Sequence, residues 1–262
     1  MGSLCDDLVA ETADLRGWLA PLSEEGWRTP TPAPGWAVVH QVGHLAYFDE
    51  QAVIAAQDPD RFREHREQAL ADPDGIADSI AARQATLSGA EALAWFDRAR
   101  TTLVETMRPL DPSLRVPWYG PDMSVASSVT ARIMETWAHG QDIVDGLGGS
   151  RPPSAALRHV AHIGARALPN SFIAHGLPVP DDPVRVALAG PDGNAWFWGP
   201  EDAANVVRGP ALDFCLVVTQ RRHPSDTAIV AVGPVAQQWM EVAQAFAGPP
   251  GAKRQPGQFA NG

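Results

Sequence analysis

The stretch GWAVVHQVGHL, residues 35–45, decides how the chain reads. Val38, Val39, Val42 and Leu45 recur at three- and four-residue spacings, the apolar stripe of a helix. His40 and His44 lie four apart inside that stripe, so they share one helix face about 6 Å from each other. Just upstream, PTPAPGW (residues 30–36) is a stiff connector: its prolines preset φ, and Gly35 permits a tight turn. Downstream the helical pattern runs over 38–57 until Asp58-Pro59, because the residue before a proline resists the α region.

Working outward, Leu4, Leu8, Val9, Leu15, Trp18 and Leu19 mark a helix over 4–20. Residues 60–88 are more polar and are interrupted by Asp72-Pro73-Asp74-Gly75, a turn signal. Further helices are predicted over 89–108, 124–147 and 154–167, the last ended by Pro169, with a loop over 109–121. After residue 177 the composition changes. LPVPDDP reads as a linker, and VRVALAG, PDGN and AWFWG read as a hairpin. A helix over 209–220, the strand TAIVAVG and a closing helix over 235–247 follow. The expected fold is α+β: an up-down helical bundle over 1–176, a small α+β domain over 177–250 and a disordered tail over 251–262.

Of the 262 residues 45% are hydrophobic and 19% charged, enough for a core. Twenty Lys and Arg against 31 Asp and Glu give a net charge of −11. That balance argues against nucleic acid and against an anionic membrane face. No run approaches the roughly 18 apolar residues of a transmembrane helix. The start, MGSLCDDLVAETADL, lacks the basic and apolar regions of a signal peptide, and Asp6 stands where a myristoylation signal wants Ser or Thr. The expectation is a soluble cytoplasmic protein. Cys5 and Cys215 form no CxxC pair, so neither a disulfide framework nor a cysteine zinc site is expected, and Cys215 in LDFCLVV reads as a buried apolar residue. There is no G-x-S-x-G, P-loop or GxGxxG motif.

A second stretch, RIMETWAHGQD (residues 132–142), sets Glu135 and His139 four apart on another helix. Imidazole and carboxylate groups suit a divalent ion such as Zn²⁺, Ni²⁺, Mn²⁺ or Fe²⁺, and three protein ligands leave coordination positions open for water or substrate. Helical bundles build metal sites in this way, from facing helices. The apolar neighbours of these groups make an unpartnered charge costly. The competing reading is that the histidines are packed without a metal. The other close pair, His159 and His162, has no nearby carboxylate in sequence and reads as packing, as do most of the nine tryptophans.

The connector PTPAPGW, the V-x-H-L-A of Val42 to Ala46 and the E-x-x-x-H-x-x-D of Glu135 to Asp142 resemble the DinB-like metalloprotein superfamily. More closely, they resemble the mycothiol-dependent maleylpyruvate isomerase family. The resemblance implies a four-helix metal-binding bundle followed by a small sterol-carrier-like α/β domain. It implies His44, Glu135 and His139 as metal ligands, with zinc the first expectation. His40, one turn earlier, becomes a pocket or substrate-binding residue, with a fourth-ligand role as its alternative. Asp142 becomes a group that orients a ligand histidine. The family's C-terminal arginine maps to Arg221 or Arg222, where a guanidinium fork suits a substrate carboxylate. The expected activity is a metal-dependent thiol (mycothiol) transferase or isomerase acting on a small electrophilic, carboxylate-bearing substrate, in a monomer or homodimer. The alternatives are a metal-dependent hydrolase-like enzyme and a metal-binding module without thiol chemistry.

Overall fold

The structure is a computed structural model that describes residues 1–72, 80, 83–84, 86–248 and 250–259. Most of the expected Asp72-Pro73-Asp74-Gly75 turn lies outside the described residues. The chain divides into two compact units, Met1–Arg151 and Pro152–Gly262.

The first unit is the helical bundle. Its long helices are α1 (Gly2–Leu19), α3 (Val38–Gln57), α5 (Gly89–Met107) and α6 (Val125–Gly146). Two short helices, α2 (Glu24–Trp27) and α4 (Pro59–Ala71), lie between them in sequence. The helix ends follow from capping. The Ser88 hydroxyl accepts the Glu91 N–H while the Glu91 carboxylate accepts the Ser88 N–H, a reciprocal box that starts α5. Ser124 accepts the Ser127 N–H and starts α6. Asp58 does both jobs at once: it closes α3, and its carboxylate accepts the Arg61 N–H to open α4, with Pro59 in the first turn. The polar stretch after Pro59 is therefore helical as far as Ala71. Inside the expected loop a two-residue strand β1 (Arg115–Val116) pairs antiparallel with β2 (Met123–Ser124).

The apolar stripes meet as the sequence requires. Leu15 and Leu19 of α1, Val38, Val39, Val42, Leu45 and Ala46 of α3, Trp95 and Phe96 of α5 and Ile143 of α6 form one buried cluster. Burying side chains of this size stabilises the bundle by about 1.5–3 kcal/mol each.

The second unit contains α7 (Leu157–Arg166), α8 (Leu168–Ala174), α9 (Ala211–Val218) and α10 (Pro234–Val242) around a four-stranded sheet. Its strands are β3 (Val184–Ala189), β4 (Ala195–Trp198), β5 (Asn205–Pro210) and β6 (Val230–Val232). Their order is β4-β3-β5-β6, with β3 and β5 parallel and both outer pairings antiparallel. The hairpin β3–β4 matches the sequence reading, with Val186 opposite Trp198 and Ala189 opposite Ala195.

Five expectations change here. The units divide at Arg151–Pro152 rather than at 176–177, because α7 packs on α9. Gly164 permits that approach: a Cβ there would come within 2.6 Å of Val218 Cγ2. Pro169 does not end the helical region but stands in the first turn of α8. The helix expected over 209–220 begins only at Ala211, because Gly209 and Pro210 end strand β5. Finally, α10 stops at Val242, where the chain turns so that the Gln244 N–H donates to Ser171 Oγ (3.0 Å) and the Ala245 N–H donates to the Val218 carbonyl (2.7 Å). The segment beyond also departs from the expected disordered tail over 250–259: Arg254 is buried, and the Gly257 N–H donates to the Asp226 carboxylate at 2.8 Å.

Candidate metal centre

His44 on α3 and the i,i+4 pair Glu135 and His139 on α6 converge where the two helices pack together. One donor atom from each lies within 4.8 Å of the other two. Glu135 Oε2 is 3.2 Å from His139 Nε2 and 3.6 Å from His44 Nε2. Ligand atoms about 2.1 Å from a tetrahedral ion stand about 3.4 Å apart, so these separations suit one small divalent cation. Among the described residues this is the one group of three or more His, Cys, Asp or Glu side chains with such convergence.

The hydrogen bonds around His139 sharpen the fit. Its Nδ1 is bonded to Gln41 Oε1. An amide oxygen only accepts, so that ring nitrogen carries the proton. In the neutral ring the other nitrogen, Nε2, then presents a lone pair toward the Glu135 carboxylate. These two acceptors meet at 3.2 Å, so either a shared proton or a metal cation belongs between them.

Electrostatics act in the same direction. Burial, with the neighbouring His139, pushes His44 down to about 4, so it is a neutral ligand at ordinary pH. Burial by itself would raise the Glu135 carboxyl, but the imidazoles of His139 and His44 and the Arg132 guanidinium outweigh it and hold the group well below the usual carboxylate range. The site thus offers a neutral imidazole at His44 and an ionised carboxylate at Glu135, the deprotonated forms that metal binding needs.

Aromatic rings wall this centre. Trp36, from the proline-rich connector, stacks toward His139 at 6.0 Å between ring centroids and meets His44 edge-on at 5.4 Å. Phe48, one turn beyond His44, lies 4.6 Å from it and continues into Trp118 and Tyr119. Behind the centre is a layer of buried ions. Arg100 donates to Asp49 (2.7 Å), Thr12 (2.5 Å) and Thr136 (2.9 Å). Arg132 lies 3.8 Å from Glu135 and 3.9 Å from Asp49.

The other residues singled out from sequence have different places. His40 is tied to the helix start: its Nδ1 accepts the Ala37 N–H at 2.9 Å and caps the first turn of α3, and it stands outside the group that converges with Glu135. Asp142 is buried on α6, but the His139 nitrogen it was expected to orient is bonded to Gln41. Arg221 and Arg222 belong to the second unit, after α9. Arg221 donates to the Thr219 carbonyl (2.6 Å), and Arg222 lies over the Phe259 ring (3.7 Å). His162 Nδ1 accepts the Trp198 indole N–H at 3.2 Å, consistent with packing.

Sequence reasoning missed Gln41, Phe48 and Arg132. A signal existed for two of them. Gln41 is an amide inside an apolar helical run, and Arg132 precedes Glu135 by three residues on the same helix.

Comparison with known proteins completes the description. Residues 8–144 match the family described as mycothiol maleylpyruvate isomerase N-terminal domain, and residues 180–232 match one described as wyosine base formation. Uncharacterized proteins of two Mycobacterium tuberculosis strains are 46% identical over 253 residues, covering 97% of this chain and 98% of theirs. Two crystal structures of mycothiol-dependent maleylpyruvate isomerase, one of them a histidine-to-alanine mutant, superpose with TM-scores of 0.56 and 0.58 at 16% and 15% identity, covering 88% of this chain and 92% of theirs. At that identity the likeness is one of fold, an N-terminal helical domain followed by a C-terminal α/β domain. The match over the bundle, from α1 through the part of α6 that carries Glu135 and His139, settles the relationship: the chain belongs to the mycothiol maleylpyruvate isomerase family.

Proposed function

We propose that this chain is a metal-dependent enzyme that uses a low-molecular-weight thiol, mycothiol by analogy with the proteins it resembles, to isomerise a small electrophilic substrate or transfer sulfur to it. The observation that carries the reading is the convergence of His44, Glu135 and His139 in a bundle of this family. A divalent ion held there would act as a Lewis acid and lower the pKa of an incoming thiol.

The chain's own residues fit that task. Neutral His44 and ionised Glu135 require no deprotonation at neutral pH. Trp36 and Phe48 pack against the imidazoles and leave the His44 side chain about a quarter exposed, so the centre is shielded yet open to an incoming molecule. A thiolate, not a thiol, is the nucleophile. The protein's own sulfurs are poor sources, because Cys215 and Cys5 are buried and burial pushes both thiols up. An external thiol therefore has a role no side chain fills. Arg221 or Arg222 would bind a substrate carboxylate.

The test combines elemental analysis of untagged protein with turnover of a conjugated oxo-acid in the presence and absence of mycothiol. About one equivalent of a divalent metal and strictly thiol-dependent turnover are expected. Turnover without thiol, or hydrolysis of ester and amide substrates in its place, would point to the hydrolase-like alternative. Less than a tenth of an equivalent of any transition metal would favour packed, metal-free histidines.

A further inference from the structure

Gln41 is fully buried, and both ends of its amide are engaged. Its Nε2 donates to Thr31 Oγ1 at 2.8 Å, and that hydroxyl donates in turn to the Trp36 carbonyl at 2.8 Å. With the Thr31 proton committed to Trp36, its oxygen lone pairs face the amide, so the amide presents N–H to Thr31 and oxygen to His139. We infer that Gln41 is a positioning residue that fixes the tautomer of His139, and that the connector of residues 30–36 is the clamp that orients Gln41.

The connector is anchored well enough to serve. Thr31 N–H donates to the Trp36 carbonyl (2.7 Å), Trp36 N–H donates to the Ala33 carbonyl (3.0 Å), and Pro30 bridges Ala37. It also lies against the end of α6: a Cβ on Gly146 would come within 2.8 Å of the Pro30 carbonyl. The same loop stacks Trp36 toward His139 and sets it edge-on to His44. One short segment thus sets the ring's orientation by stacking and its proton by a relay of three hydrogen bonds: Nδ1–H to Gln41, Gln41 to Thr31, Thr31 to Trp36. Partners of this kind on a ligand histidine commonly change metal affinity 10–100-fold when removed. An amide, unlike a carboxylate partner, adds no negative charge, which leaves a bound divalent ion more electrophilic.

This inference rests on the metal-centre reading, and the test separates the two. Long-range ¹H–¹⁵N correlation on the metal-free full-length protein reads the His139 tautomer directly, and zinc competition against a chromogenic chelator reads affinity. The wild type is expected as the Nδ1–H tautomer. Gln41→Glu, which keeps an acceptor, should preserve it. Gln41→Leu should shift it toward Nε2–H and weaken zinc binding about 10–100-fold, while Thr31→Val, which frees the amide to turn, should give a mixture. Wild-type His139 found as Nε2–H would overturn the proposal, because it would mean the amide is turned the other way. So would a Leu variant whose tautomer and zinc affinity match the wild type. If Gln41→Leu fails to fold, Thr31→Val and Gln41→Glu decide. A tautomer shift in a protein whose wild type binds no zinc supports the clamp and refutes the metal reading alone.

Discussion

Two carboxylates of the bundle, buried Asp49 and part-buried Glu135, live in opposite settings. Asp49 is fully buried and takes a 2.7 Å ion pair from Arg100, whose remaining donors are spent on Thr12 and Thr136. That guanidinium is satisfied on every side, and helices α1, α3, α5 and α6 all contribute to it. Glu135 has two imidazole nitrogens before it and its nearest guanidinium only at 3.8 Å. The first arrangement ties the bundle together through Asp49 Oδ2, while Asp49 Oδ1 makes no hydrogen bond and has Arg132 only at 3.9 Å. The second is open: a carboxylate and two imidazoles converge, and the proposed function gives them a cation from outside. Losing one partner of a closed buried pair leaves an uncompensated charge, whereas losing a ligand from an open site removes affinity and leaves the fold.

That contrast is open to direct attack. Arg100→Ala should be the most damaging change, destabilising the bundle by about 3–5 kcal/mol, read as the shift in a urea unfolding midpoint. A loss under 1 kcal/mol would mean that the Asp49 layer is not structural.

His139→Ala should act the other way round, lowering metal content below a tenth of the wild-type value while the unfolding midpoint of the metal-free protein moves little. Retained metal would show the ligand set to be wrong.

A milder effect follows from pH. His44 falls from an ordinary 6.5 to about 4 in the folded state, so between those values the unfolded chain binds more protons. Stability of the metal-free protein should be full above about pH 6.5 and decline as pH falls toward 4, by up to about 3 kcal/mol at 1.4 kcal/mol per unit. The depressed Glu135 carboxyl adds a loss of the same sign at lower pH. Denaturant titrations across this range, on wild type and His44→Ala, check it: the variant should show a flatter profile, and an identical slope would remove His44 as the cause.

The smallest structural effect is expected of Arg221→Ala and Arg222→Ala. Each should reduce turnover with metal content unchanged, and parallel loss of metal would contradict a substrate role.

Much of this was legible in the residues. The α3 boundaries emerge because Val38, Val39, Val42 and Leu45 repeat at helical spacing and Asp58-Pro59 stops them. The hairpin β3–β4 emerges because PDGN separates two extended runs. Strand β5 was hidden, since Val206 and Val207 are too few to show a period and Gly209-Pro210 imitate a break. His40 and His44 looked equivalent by spacing, yet the first turn of a helix has free N–H groups, and His40 is spent on one of them.

The sequence by itself determined which side chains share a helix face, because the 3.6-residue period fixes that locally: His44 with its apolar stripe, Glu135 with His139. Only the tertiary structure decided that the two faces meet, that Gln41 rather than Asp142 holds His139, and that α7 joins the second unit. Those facts depend on close approaches between segments far apart in the chain, at Gly146 against Pro30 and at Gly164 against Val218, and no local spacing encodes them.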